Sequence, residues 1–218
     1  MTLKNSFLTK LSLYTAALLV WFAVYEYYIT PIFPDTFEGY LVSSGVIFLT
    51  TTLPGLFLIY QNREDLFLPP PRLWSFSFRP YVILIMMLVM LIYSLTLTGT
   101  EDAIIFYDLS QFSNSVMHSI FLDGIAVEIV FRGLLLNALM KRMENWQAVA
   151  VNSVLYLLSY VIFWSFQTAS IWATFYSGSI ILVLVLNIVY CSVFIRKNSL
   201  WPSILLHSFW NLCLYIFI

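Results

Sequence analysis

Charged residues are scarce in this chain of 218 residues, since 10% are charged whereas 61% are hydrophobic. A soluble domain carries about 25% charged residues, so the composition excludes an ordinary water-soluble protein. The mean hydropathy of +0.89 indicates instead that a lipid bilayer is the solvent. The formal net charge is −1 and the sequence contains no basic patch, so nucleic acid is not an expected partner.

Cysteine and histidine are also rare, with two residues of each. Cys191 and Cys213 lie inside apolar runs, which predicts buried free thiols rather than a disulfide framework. One histidine beside one glutamate on another helix provides fewer ligands than a zinc site uses, so we expect no metal and no other cofactor. No pair of spans is broken by glycine and proline as in transporters, which makes a transporter or channel component a distant third alternative.

Long apolar runs are what the sequence has in abundance. A spanning helix needs about 20 mostly apolar residues, and seven segments approach that length. We therefore predict an all-α, polytopic transmembrane helix bundle of about seven spans, with six to eight as the range. It forms a single integral membrane domain over residues 1–218. The predicted spans are residues 11–29, 40–60, 81–97, 116–140, 148–166, 171–195 and 200–218.

The basic residues are distributed unevenly between the predicted loops. Nine of the ten Lys and Arg residues fall on one side of the membrane, and the loops of the other side contain acidic residues but no basic ones. The positive-inside rule places the basic side in the cytoplasm. We expect an integral protein of the bacterial cytoplasmic membrane, with the N-terminus in the cytoplasm and the C-terminus outside. The tenth basic residue is Arg132, which lies within a span.

The fourth predicted span contains charges that are costly inside a bilayer. Glu128 and Arg132 are four residues apart and so lie on one face of a helix, and an ionisable residue within the membrane is a functional-site hypothesis. The alternative is a self-neutralising pair that permits insertion and fixes packing. Asp123 lies near the outer end of this span, where contact with water or headgroups is the simpler explanation.

The last predicted span contains a second polar pair. His207 and Asn211 are also four residues apart, in a helix that is otherwise nearly all apolar. A histidine exchanges protons near neutral pH, and together with the asparagine amide it is suited to stabilising an oxyanion. The alternative is an interhelical hydrogen bond of modest strength. At about 1.5 Å of rise per residue, the two pairs fall at similar depths in the bundle and so can meet.

These pairs resemble the motifs of the CPBP family, the CAAX proteases and bacteriocin-processing enzymes, also called the ABI family. Its three motifs are, in order, Glu-Glu-x-x-x-Arg, Phe-x-x-x-His and His-x-x-x-Asn/Asp. VEIVFRG at residues 127–133 resembles the first motif and HSFWN at residues 207–211 the third, within a similar region of about residues 120–213.

The resemblance implies an intramembrane glutamate-type endopeptidase with about eight spans. Such an enzyme hydrolyses a peptide bond of a membrane-associated peptide or protein, and the sequence gives no reason to expect a prenylated one. The partners implied are this substrate and membrane lipids. The positions of this chain that match the catalytic residues of the family are Glu128, Arg132, His207 and Asn211.

Two positions depart from the family pattern. Val127 replaces the first glutamate of the first motif, and Tyr160 replaces the histidine of the second motif. In the family these two groups activate the attacking water, but valine cannot accept a proton and a neutral tyrosine is a poor base. Glu128 or Asp123 would have to substitute. Glu128 pairs with Arg132, and Asp123 lies about one helical turn outward from Val127, too far to replace its missing carboxylate.

Two functions therefore remain open. The first is an intramembrane endopeptidase with rearranged catalytic groups. The second is a non-catalytic relative, a pseudoenzyme that keeps the peptide-holding half of the site. Such a protein would bind a membrane-embedded segment or a partner protein, or protect against a bacteriocin.

Overall fold

The computed structural model of the chain describes residues 3–33, 37–76, 79–97, 124–167 and 179–217. All seven predicted spans are helical in their described parts except at Leu200, and no strand occurs within these ranges. The predicted all-α class is therefore confirmed. We number the seven long helices α1 to α7 in chain order.

Three of these helices change their winding along their length. Helix α1 continues from its α-helical part through a π-helical and a 3₁₀ segment, and helices α2 and α4 each have a π-helical segment between two α-helical ones. The bounds are α1 Leu3–Val24, Tyr25–Ile29 and Thr30–Ile32; α2 Phe37–Ile47, Phe48–Thr52 and Leu53–Gln61; α3 Pro80–Leu97; α4 Gly124–Glu128, Ile129–Leu136 and Asn137–Met140; α5 Asn145–Gln167; α6 Ser179–Lys197; and α7 Trp201–Phe217.

Four helical stretches of the described chain are long and apolar enough to cross a membrane by length and composition. They belong to α1, α2, α5 and α6, and they are Ser6–Ile32, Leu41–Gln61, Asn145–Phe166 and Ser179–Lys197. The apolar stretch of helix α3, Pro80–Thr96, is shorter than these four. Large aliphatic side chains point outward along the bundle, for example Leu84 on α3 at 62% exposure and Ile181 on α6 at 68%. Such a surface is favourable in lipid and unfavourable in water.

The widened turn in α2 has a cause in the sequence. Pro54 has no N–H to donate, and its ring clashes with the carbonyl of the residue four positions before it. The regular ladder of hydrogen bonds is accordingly interrupted, and the residues before the proline, Phe48–Thr52, are π-helical. The hydroxyl of Thr51 donates to the carbonyl of Ile47 at 2.6 Å, which satisfies a backbone group inside the interrupted turn.

Helix α4 is the central element of the bundle. Every residue from Glu128 to Ala138 is buried, and the helix contacts α2, α5, α6 and α7. A helix that is buried on all sides must find partners for any polar side chain it contains, because water and headgroups are out of reach. The charged pair of this helix is therefore placed where only the other helices can satisfy it.

The connector between α2 and α3 is fixed to the end of α4 by a buried amide. The side chain of Asn137 donates to the carbonyl of Leu68 at 2.9 Å and accepts from the N–H of the same residue at 2.7 Å. The backbone N–H of Leu200 donates to the carbonyl of Leu73 at 2.9 Å, which joins the connector to the start of α7. These bonds supply the backbone partners that an irregular segment otherwise lacks.

Helices α4 and α7 approach each other closely at Gly124. A Cβ atom at this position would lie 3.2 Å from the Cα and 3.3 Å from the backbone nitrogen of Ser208, and 2.5 Å from its Oγ. Backbone atoms cannot rotate out of the way, so a residue with a side chain would push the two helices apart. Glu128 lies one turn beyond this contact on α4, and His207 is adjacent to Ser208 on α7.

We predict that Gly124→Ala destabilises the protein, because α4 and α7 must separate to admit the methyl group. Overpacking of this kind costs about 1–3 kcal/mol, so the unfolding temperature in detergent should fall by several degrees. Gly45→Ala is the matched control, since no atom lies within 4 Å of a Cβ at that position. An unchanged unfolding temperature for Gly124→Ala would contradict the close approach.

Candidate active site

The carboxylate of Glu128 is shared between two side chains. Its Oε1 lies 2.9 Å from Nη1 of Arg132 and 2.8 Å from Nδ1 of His207. The exposed fraction is 0% for the glutamate and the arginine and 3% for the histidine. An ion pair in such a dry environment is stable only when both partners are present and well oriented. One oxygen atom thus joins α4 to α7.

Arg132 is held on more than one side. Its Nη2 donates to Oδ1 of Asn187 on α6, while Nη1 faces Glu128. Its Cζ lies 4.6 Å from the ring centroid of Tyr156 and 5.3 Å from that of Tyr190. Cation–π contacts of this type are strongest when the cation is desolvated, so the guanidinium is fixed by one hydrogen bond, one ion pair and two ring faces.

The bond to Glu128 decides the protonation pattern of His207. A carboxylate only accepts hydrogen bonds, so the proton of the bonded ring nitrogen must lie on Nδ1. In a neutral imidazole the other nitrogen, Nε2, then has a free lone pair. The ring stacks on Tyr190 with centroids 5.1 Å apart and an interplanar angle of 15°, which fixes its orientation.

The π-helical segment of α4, Ile129–Leu136, contains the arginine of the pair. Such segments are rare and occur frequently at functional sites. The amide of Asn152 on α5 donates to the carbonyl of Phe131 at 2.7 Å, which gives a partner outside the helix to a backbone oxygen of the widened turn. The local winding that places Arg132 is therefore supported by a neighbouring helix.

The structure brings three of the four predicted catalytic residues into direct contact, namely Glu128, Arg132 and His207. Asn211 is half-buried on α7, one turn beyond His207. Asp123, which the sequence offered as a substitute base, lies outside the described residues. The catalytic roles themselves stay predictions.

The two positions that depart from the family motifs lie beside this cluster. Val127 is half-buried and packs against the core. The hydroxyl of Tyr160 lies 3.3 Å from that of Tyr156, whose ring in turn contacts Arg132. Neither group is suited to taking a proton from water at neutral pH. The described chain therefore provides no base at either of the positions that the motif assigns to water activation.

Several residues of the cluster were missed by the sequence analysis. Asn187 is a lone amide in an apolar run, and Asn152 and Ser153 precede a run of leucines and tyrosines. A buried polar residue in a span is a signal for an interhelical contact, but it does not identify the partner. Among the described residues no group of three His, Cys, Asp or Glu side chains is placed to hold a metal ion.

A comparison with protein families supports the resemblance seen in the motifs. Residues 110–213 match the family model described as Rce1-like, type II CAAX prenyl endopeptidase Rce1-like. The matched region includes both polar pairs and the segment between them, and it confirms the predicted recognition. No curated protein and no solved structure matches the chain.

We predict that Arg132→Met destabilises the protein by about 3–5 kcal/mol, because the carboxylate of Glu128 then remains buried without its counter-charge. The double variant Glu128→Gln with Arg132→Met should recover part of this loss, since no net charge is left in the core. Unfolding in detergent, followed by circular dichroism, measures both.

The control for this prediction is the ion pair between Asp65 and Arg142, whose side chains are 32% and 14% exposed. Asp65→Asn should cost less than about 1 kcal/mol, as exposed pairs do. If Arg132→Met and Asp65→Asn have equal effects, the buried pair is not the fixed element described above.

Proposed function

Because residues 110–213 match the family model described as Rce1-like, type II CAAX prenyl endopeptidase Rce1-like, we propose that the chain is a membrane endopeptidase with rearranged catalytic groups. It hydrolyses a membrane-associated peptide or protein, and His207 acts as the general base. The observation that carries this proposal is the 2.8 Å contact between Nδ1 of His207 and Oε1 of Glu128. A carboxylate that orients a histidine in this way leaves the opposite ring nitrogen available for a proton.

The hydrogen bond to Glu128 fixes the tautomer of a neutral His207. A carboxylate only accepts hydrogen bonds, so Nδ1 of the histidine must be the donor. A neutral ring that donates from Nδ1 has its lone pair on Nε2. This is the arrangement that a base requires, whereas an oxyanion donor would need a proton on Nε2.

The proposed step requires no group beyond the chain, the substrate and water. Nε2 of His207 takes one proton from a water molecule, and the water oxygen attacks the carbonyl carbon of the peptide bond. The C–N bond then breaks as the imidazolium returns the proton to the departing amine. The products are a new carboxyl group and a new amino terminus, and the histidine is neutral again.

The other site residues have supporting roles in this scheme. The guanidinium of Arg132 keeps Glu128 ionised, and Glu128 stabilises the imidazolium that forms during the step. Asn211, one turn beyond His207 on α7, is the proposed donor to the oxyanion. A single side-chain donor of this type contributes about 10²–10³ in rate.

The proposed orientation follows the basic loops, with the connector between α2 and α3 in the cytoplasm. Aromatic side chains cluster beside this connector: Phe76 and Trp201 stack with centroids 4.4 Å apart, and Nε1 of Trp201 donates to the carbonyl of Trp74 at 3.1 Å. Amphipathic aromatic rings are typical of the membrane–water interface. The cluster supports a boundary of the membrane at the start of α7.

We expect the purified protein in liposomes to cleave a quenched fluorescent membrane peptide, because Nε2 of His207 accepts a proton from the attacking water. His207→Ala should abolish cleavage, and Asn211→Ala should lower kcat by about 10²–10³. Val154→Ala, on the exposed face of α5, is the control and should retain full activity. A rate that survives His207→Ala would contradict the proposed base.

A second candidate function is binding without hydrolysis, and the chemistry of Val127 and Tyr160 favours it. The half of the site that holds a peptide is retained, while the two positions that activate water in the family carry no base. Such a protein would bind a membrane-embedded segment or a partner protein, or act as an immunity protein against a bacteriocin.

Restoring the family residues distinguishes the two functions. If the chain only binds, the natural protein has no peptidase activity, and Val127→Glu combined with Tyr160→His should create it. If His207 is already a base, the natural protein cleaves and the double variant only increases the rate. Val127→Gln combined with Tyr160→Phe adds similar bulk without a proton acceptor and is the matched control. Cleavage gained by this control would contradict both explanations.

A further inference from the structure

We propose that Asn187 is a positioning residue of this site, which holds the guanidinium of Arg132 against Glu128. It lies on α6, outside both polar pairs, and its side chain is fully buried. Its Oδ1 accepts a hydrogen bond from Nη2 of Arg132. Its Nδ2 donates to Oγ of Ser153 on α5 at 2.7 Å.

The two bonds fix which way the amide points. Arginine can only donate hydrogen bonds, so the oxygen of Asn187 must face the guanidinium. If the amide of Asn187 were flipped, its NH₂ group would face Nη2 of Arg132, which is also a donor. Nη2 would then be buried without an acceptor. The free-energy cost of such a group is larger than the stabilisation that an ordinary hydrogen bond contributes. Ser153 accepts from the NH₂ group and thereby holds the oxygen in place.

The guanidinium then has a defined orientation in its plane. Nη1 lies 2.9 Å from Oε1 of Glu128, and Nη2 is bonded to Asn187. The faces of Tyr156 and Tyr190 confine it further. Rotation about the bond between Nε and Cζ would exchange the two nitrogens and break both contacts. Without Asn187, no hydrogen bond would resist this rotation, and only the ion pair with Glu128 and the two ring faces would oppose it.

A second series of contacts supports the same arrangement. Cys191 lies one turn beyond Asn187 on α6, and its Sγ lies 3.4 Å from Oδ1 of Asn152. The amide of Asn152 donates to the carbonyl of Phe131, the residue before Arg132. Helices α5 and α6 thus fix the arginine through its side chain and through its backbone.

Two variants with side chains of nearly equal size distinguish the effect of the hydrogen-bond acceptor from the effect of side-chain packing. Asn187→Asp keeps an oxygen that faces Arg132, whereas Asn187→Leu fills the same space without an acceptor. Nitrogen-15 NMR of the arginine side chains reports the exchange of Nη1 and Nη2 directly, and Arg132→Lys assigns the signal.

We expect two separate Nη signals for Arg132 in the natural protein and in Asn187→Asp, and a single averaged signal in Asn187→Leu. Ser153→Ala removes only one hydroxyl and should speed the exchange, which keeps the proposal testable if Asn187→Leu does not fold. Asn137→Leu is the matched control, because Asn137 is an equally buried amide that bonds to the backbone of Leu68 instead. Separate signals in Asn187→Leu, or averaging in Asn137→Leu as well, would overturn the positioning role.

The consequence for activity rests on the proposed function. If the protein cleaves peptides, Asn187→Leu should lower kcat by about 10²-fold, the loss typical of a misplaced catalytic group. KM should be unchanged, because Asn187 is fully buried and acts through Arg132. Asn187→Asp should restore part of the rate. A protein that shows no cleavage refutes the proposed function, but the NMR signals of Arg132 still decide the role of Asn187. A KM that rises while kcat is constant would contradict the positioning role.

Discussion

The structure depends on one carboxylate oxygen in the middle of a membrane bundle. Oε1 of Glu128 contacts both Arg132 and His207, and all three side chains are almost completely buried. Charges buried without partners are strongly destabilising. The helices that supply the partners must therefore pack in one arrangement, and this requirement places α4 and α7 relative to one another. The hydrogen bond from Arg132 to Asn187 adds α6 to this arrangement.

Two features of the backbone make this meeting possible. The missing side chain at Gly124 lets α4 approach the backbone of α7 at Ser208, one turn away from the shared carboxylate. The π-helical segment that follows Glu128 widens the helix around Arg132, and the amide of Asn152 supports its backbone. Both features shape the helix interface, and neither contributes a reacting group.

The site keeps some residues of the family motifs and replaces others. Val127 and Tyr160 offer no base to a water molecule, whereas the pairing of Glu128 with His207 aligns an imidazole as a base would be aligned. The same contact between Glu128 and His207 would also stabilise the packing of α4 against α7 in a protein that only binds peptides. Hydrolysis separates the two functions, because a catalytic protein uses the lone pair of Nε2 to take a proton from water and a binding protein does not.

The sequence by itself determined the helical class and the placement of Glu128 and Arg132, and of His207 and Asn211, four residues apart on their helices. Apolar length and four-residue spacing are local properties of a helix. Only the tertiary structure decided that His207 meets Glu128 and that Asn187 completes the cluster. The residues around an asparagine in an apolar run do not indicate which side chain it contacts in the fold. Its partner is set by how the helices pack, since contacts between helices depend on crossing positions that no single span encodes.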